Sequence, residues 1–81
     1  MAQSESFSRT ERRVKAALGR KIKDSRLSLG MSQTELAKRA RVRRALVSDI
    51  ERELANPTLD SLVRIARALG VELADLLSAD R

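Results

Sequence analysis

Lys38, Arg39, Arg41, Arg43 and Arg44 place five cations within seven positions, and a mixed polar face follows directly. If the chain is helical from about Arg44 onward, then Arg44, Ala45, Ser48 and Asp49 share one outward side. Residues three and four apart lie together on a helix surface, which sets Ser48 beside Arg44 and Ala45, and Asp49 beside Ala45. Such residue types suit hydrogen bonding to flat edges. Arginine can donate twice to guanine O6 and N7, alanine can meet a thymine methyl, and a carboxylate can accept from cytosine N4. A carboxylate among phosphates is costly unless it finds a donor. Asp49 therefore points either to selective reading or to pairing with Arg52, three residues on. Lys38, Arg39, Arg41 and Arg43 suit phosphate oxygens, which position a protein without reporting base sequence. Two short helices joined by a tight turn would set the second of them into the major groove of duplex DNA. Some of these cations could equally serve only to solubilise.

Composition narrows the alternatives. With no histidine and no cysteine, disulfides and the usual zinc sites are excluded. There is no phosphate-binding glycine loop, and the carboxylates are scattered, so neither an enzyme nor a cofactor is expected. Phe7 is the one aromatic residue, which removes the stacking platforms used by single-strand binders and favours duplex DNA. Residues 1–44 carry 13 Lys/Arg against 4 Asp/Glu, whereas residues 45–81 carry 4 against 7. The net charge of +6 is thus concentrated on one half, as expected of a face meant for a polyanion. No run approaches the roughly 18 apolar residues of a membrane span, and no signal-peptide core is visible, so a cytoplasmic, nucleoid-associated location is expected. Eighty-one residues allow one modest core. Self-association is the remaining way to bury more surface.

The elements that would position these residues are all helices. Residues 1–8 are polar without periodicity, so a flexible arm is expected over 1–9 and a single domain over 10–81. Thr10 can cap a first helix carrying Val14, Leu18, Ile22 and Leu29, closed by Gly30. Ser32 and Glu35 form a capping box for a second helix with Leu36, Ala37 and Ala40 inside. A third helix is expected from Arg43 or Arg44 to Glu53, burying Leu46 or Val47 and Ile50. Thr58 caps a fourth helix defined by Leu59, Leu62, Ile65, Ala66 and Leu69 and closed by Gly70. A short fifth helix covers about Leu73 to Leu77. No segment alternates with period two for long enough to form a strand, so the fold class is all-α with five helices.

From Leu18-Gly19 to Leu77 the chain resembles the phage repressor and Cro type of helix-turn-helix domain, the xenobiotic-response-element family. The matching pieces are Arg26, then Leu29-Gly30-Met31-Ser32-Gln33, Glu35-Leu36-Ala37 and Ile50-Glu51-Arg52. Asn56-Pro57-Thr58-Leu59 and Ile65-Ala66-Arg67-Ala68-Leu69-Gly70-Val71 complete the match. The resemblance spans about three-quarters of the chain, includes small restriction–modification controller proteins, and implies a repressor-like domain with its N-terminal helix extended. Three departures stand out. Arg41 occupies the turn where the family often has glycine, Arg43 stands where Ser or Thr commonly caps the third helix, and Glu53 replaces a following glycine.

The resemblance implies roles for individual residues. Arg44, Ala45 and Asp49 fall on base-reading positions, with Ser48 beside them. Gln33 falls where a side chain and the amides of a helix N-terminus together bind phosphate. Arg52, Asn56 and the amides near Thr58 would clamp the far backbone. Arg26 and Glu51 match a partly buried ion pair that positions the reading helix. Apart from the resemblance, Leu73, Leu76 and Leu77 exceed what a short terminal helix needs to pack on its own domain. Helped by Leu54, they are expected to form a two-fold homodimer interface, the alternative being that they simply cap the chain's own core. The partners are then double-stranded DNA and a second copy, with RNA polymerase or a toxin as further candidates. The family includes phage repressors, controllers and antitoxins. The competing function is accordingly a protein-interaction module that sequesters a toxin, with DNA binding secondary.

Overall fold

A computed structural model describes residues 2–78, which form five helices and no strand. They are α1 (Ala2–Ser28), α2 (Gln33–Ala40), α3 (Arg44–Glu51), α4 (Leu59–Leu69) and α5 (Leu73–Leu77). One aliphatic core joins all five. Leu18 and Ile22 of α1 meet Leu36, Ala37 and Ala40 of α2, Val47 and Ile50 of α3, Leu62, Ile65, Ala66 and Leu69 of α4, and Leu76 of α5. Of the two alternatives for α3, Val47 is the fully buried one, and Leu46 is half-buried against it.

The first helix starts earlier than expected. Thr10 is exposed in mid-helix rather than acting as a cap, and the backbone of 2–9 is helical where a flexible arm was expected. The physical reason is the absence of a breaker: no glycine or proline precedes Gly19. Glu11 and Lys15, at (i, i+4) and 3.1 Å apart, add local support. The expected arm's first residue, Met1, and the expected domain's last, 79–81, lie outside the described residues. Leu29, which continues the helical spacing of Leu18 and Ile22, is exposed just beyond the helix, and Ala17 and Met31 are buried.

The same exit motif closes four of the helices. The amide of a residue two or three positions past the helix reaches back five positions: Met31 to the Arg26 carbonyl, Val42 to Ala37, Leu54 to Asp49 and Val71 to Ala66, at 2.8–3.0 Å. The residue before each adopts a left-handed backbone: Gly30 (φ 70°), Arg41 (φ 58°), Glu53 (φ 65°) and Gly70 (φ 71°). The two departures from glycine therefore keep the turn geometry and absorb the strain. For the same reason α3 stops at Glu51 rather than at Glu53.

Starts are capped as expected at two helices. The Ser32 hydroxyl accepts from the Glu35 amide at 3.0 Å, and the Glu35 carboxylate accepts from the Ser32 amide at 3.0 Å. Thr58 Oγ1 accepts from the Ser61 amide at 3.1 Å. Arg43 offers α3 no side-chain cap. At the other end of the molecule, Lys21 Nζ donates to the carbonyls of Asp75 and Ser78, tying α5 to α1.

Candidate nucleic-acid interface

The placement of α3 depends on how closely it can approach α1. At Gly19 an added Cβ would lie 2.6 Å from the Ile50 carbonyl oxygen and 3.3 Å from that of Glu51. The missing side chain lets the backbone of α3 rest on α1, a role that sequence reasoning did not assign to Gly19. The signal available was a glycine inside an apolar helical pattern, which marks a close approach more often than a break.

Two helical turns further along α1, Arg26 locks the same two helices together. Its Nε lies 2.7 Å from Glu51 Oε2 and a terminal nitrogen donates to Glu51 Oε1 at 2.9 Å, a bidentate fork. The second terminal nitrogen donates to the Met31 carbonyl at 2.9 Å. Arg26 is only 7% exposed and, among the described residues, is the one charged residue that is buried. Burial pushes the Glu51 carboxyl upward, but hydrogen bonds from Arg26 and Gln33 and the guanidinium charge hold it below its ordinary value. The hydrogen bond to Glu51 raises the Arg26 value in turn. The ion pair expected between Arg26 and Glu51 is thus present.

Gln33 extends that pair to the surface. Its Nε2 donates to Glu51 Oε1 at 3.1 Å, and its Oε1 accepts from Arg44 at 3.3 Å. A continuous polar line thus runs from the buried guanidinium of Arg26 through Glu51 and Gln33 to the first residue of α3. Sequence reasoning placed Gln33 toward phosphate alone and missed this link.

The outward side of α3 carries the residues expected there. Arg44 and Ala45 are exposed, and Ser48 and Asp49 are half-buried beside them. Among the described residues no ion pair joins Asp49 to Arg52. Lys38, Arg39, Arg41 and Arg43 are exposed around the α2–α3 turn, whereas Arg52, Asn56 and Thr58 are exposed along the α3–α4 connection. A shallow positive rim therefore surrounds a mixed donor, acceptor and methyl surface. Such a surface can grip phosphates and touch base edges at once.

The leucines expected at a dimer contact divide. Leu76 is only 2% exposed in the single chain, a core residue with no surface left for a partner. Leu73 and Leu77 are half-buried against the same core. Leu54 is 64% exposed, and it alone among the residues closing the four helix exits faces solvent to that degree.

Comparison with known proteins agrees with this geometry. A family model described as Helix-turn-helix matches residues 22–76. Control protein C.BamHI from Bacillus amyloliquefaciens is 42% identical over 65 residues, covering 79% of this chain and 80% of that protein. The restriction-modification controller protein C.AhdI from Aeromonas hydrophila superposes with a TM-score of 0.73 at 29% identity, covering 76% and 94% of the two chains. The N-terminal DNA-binding domain of SinR from Bacillus subtilis superposes with a TM-score of 0.74 at 35% identity, covering 79% and 94%.

Proposed function

This chain belongs to the helix-turn-helix family of DNA-binding regulators, not enzymes, and from that premise we propose that it controls transcription as a homodimer on a pseudo-palindromic operator, autoregulating its own promoter. Residues 10–81 are the DNA-binding unit, and the protein works in the cytoplasm at the nucleoid. The observation that carries this reading is the outward side of α3. Arg44 and Ala45 stand exposed there, Ser48 and Asp49 lie beside them, and the opposite side is locked to α1 by Gly19 and Arg26. A helix held that rigidly can present side chains to a groove with little loss of freedom on binding.

In this reading Arg44, Ala45, Ser48 and Asp49 read bases. Gln33, Lys38, Arg39, Arg41, Arg43, Arg52, Asn56 and Thr58 hold phosphates. Gln33 keeps its contacts with Glu51 and Arg44 and offers the second hydrogen of its Nε2 to a phosphate. The dimer contact involves Leu54, with Leu73 and Leu77 at its edge. Phe7, 70% exposed, belongs to the same apolar region, because it lines a groove of about 310 Å³ with Val14, Pro57, Leu62 and Leu77. Two half-sites about 10 bp apart would then match the spacing of two reading helices.

The test is binding to the DNA upstream of the protein's own coding sequence, measured by fluorescence anisotropy with wild type and Arg44→Ala. Loss of one bidentate base contact corresponds to about 1–3 kcal/mol, or roughly 5- to 150-fold at the specific site. Affinity for unrelated duplex should change little. Equal loss on both DNAs would contradict a base-reading role for Arg44.

A further inference from the structure

Away from the base-reading side chains, α2 and α4 enclose a second cationic feature. A concavity of about 520 Å³ lies between the end of α2 and the middle of α4, lined by Arg39, Ala40, Arg41, Arg64, Arg67 and Ala68. Ala40 is buried and Ala68 half-buried, so small side chains leave the space open, and the four arginines around it are exposed. Arg64 is held in place from two directions: it lies 2.9 Å from Asp60 Oδ2 and donates to the Arg41 carbonyl at 3.3 Å. Among the described residues no carboxylate forms an ion pair with Arg39, Arg41 or Arg67. Glu35, the one acid of α2, has its carboxylate on the Ser32 amide.

Four guanidinium groups around one concavity repel each other; Asp60 pairs with Arg64, Glu35 acts on Arg39 only through the field between them, and Arg41 and Arg67 have no such partner among the described residues. A ligand entering that space must bring concentrated negative charge. Planar forks match phosphate oxygens bidentately, and a terminal phosphate offers three acceptor oxygens and up to two charges. A single carboxylate supplies half that charge and fewer acceptors. We propose that this concavity is a phosphate-binding site distinct from the reading surface of α3. The phosphate has two possible sources. A free phosphorylated compound would make the concavity an effector pocket. The DNA backbone flanking a half-site would make it an extension of the footprint, and only this second source rests on the DNA-binding function proposed above.

The experiment compares the full-length wild type with Arg64→Ala/Arg67→Ala, and with Arg67→Ala alone, which leaves the Arg64–Asp60 pair intact. These side chains are exposed, and the exposed pair adds little to stability, so all three proteins should fold. Thermal melts are recorded with millimolar pyrophosphate, with chloride at equal ionic strength, and with poly-glutamate. Salt-dependent affinity is measured on a short duplex covering only the half-sites and on a longer duplex with flanks. A rise in melting temperature with pyrophosphate in wild type, lost in both variants and absent with chloride, establishes the free-phosphate source. A drop of about 1–2 in the logarithmic salt slope on the long duplex alone establishes the backbone source. Pyrophosphate binding by a wild type that ignores DNA would uphold the site while sinking the DNA reading. No response in either arm overturns the proposal. So does equal stabilisation by poly-glutamate, which would point to an acidic protein, or equal loss on both duplexes, which would merge these arginines with the reading face.

Discussion

At the scale of single residues, the polar line from Arg26 through Glu51 and Gln33 to Arg44 ties both ends of α3 to α1 and α2. Truncating one partner of a buried pair leaves the other charged and unpaired, at a cost of about 3–5 kcal/mol. Arg26→Met should therefore lower the melting temperature by well over ten degrees at roughly 4–8 °C per kcal/mol, and an unchanged melt by circular dichroism would remove the claim. Acid should expose the same pair. Glu51 and Glu35 both have values below the ordinary carboxylate range, Glu51 against the effect of burial and Glu35 chiefly through its hydrogen bond with the Ser32 amide. A depressed folded value means that the stabilisation is complete above the unfolded value of about 4.3 and is lost as pH falls through the folded one. Melts between neutral pH and pH 3 should show a progressive fall in wild type. Glu51→Gln should start lower at neutral pH and fall less steeply, and parallel curves would count against Glu51. The Arg26–Glu51 pair was legible from the spacing of family-like motifs. The Gln33 link was not, because partners 18 and 11 positions away come together only through packing.

At the scale of elements, helix ends were the most legible feature where side chains mark them. The Ser32–Glu35 box and the Thr58 cap stand as expected, since a short polar side chain before an apolar period has a single efficient use there. Helix exits were half legible. Gly30 and Gly70 announce a left-handed residue, whereas Arg41 and Glu53 adopt the same conformation with nothing in their chemistry to reveal it. What forces it on them is the reach-back hydrogen bond of Val42 and Leu54 and the burial of the helix before them. A non-glycine residue held there stores about 1 kcal/mol or more. Glu53→Gly should thus raise stability by up to about 1 kcal/mol after the extra chain entropy of glycine is deducted. Urea denaturation checks this, and a destabilised variant would mean that the Glu53 side chain has a stabilising role of its own. The N-terminal boundary was misread for the opposite reason. Polar residues without periodicity suggest coil, yet a helix already nucleated by core packing continues until a breaker stops it.

At the scale of the whole molecule, the single chain leaves apolar surface uncovered at Phe7, Leu54, Leu59 and Val63. Together with a short chain's modest core, this is the physical basis for the proposed homodimer. Leu54→Lys should convert a dimer to monomer in sedimentation at tens of micromolar, and should weaken binding to a two-half-site operator while sparing a single half-site. A wild type that sediments as a monomer at that concentration would defeat the dimer. Leu76 shows why the interface was only partly readable. Three leucines at the end of a chain satisfy either a partner or the chain's own core, and the core took the middle one.

Helical periodicity, caps and the segregation of charge were sufficient to determine the five helices, their order and the cationic rim around α3. These properties are local: each depends on neighbours a few positions away and on the 3.6-residue repeat. Tertiary structure alone decided which leucine is interior, that Gly19 admits the backbone of α3, that Gln33 bridges Glu51 to Arg44, and that α2 and α4 gather four arginines around one hollow. Those outcomes depend on distances between segments far apart in the chain, which no pattern of residue types along one strand of text can specify.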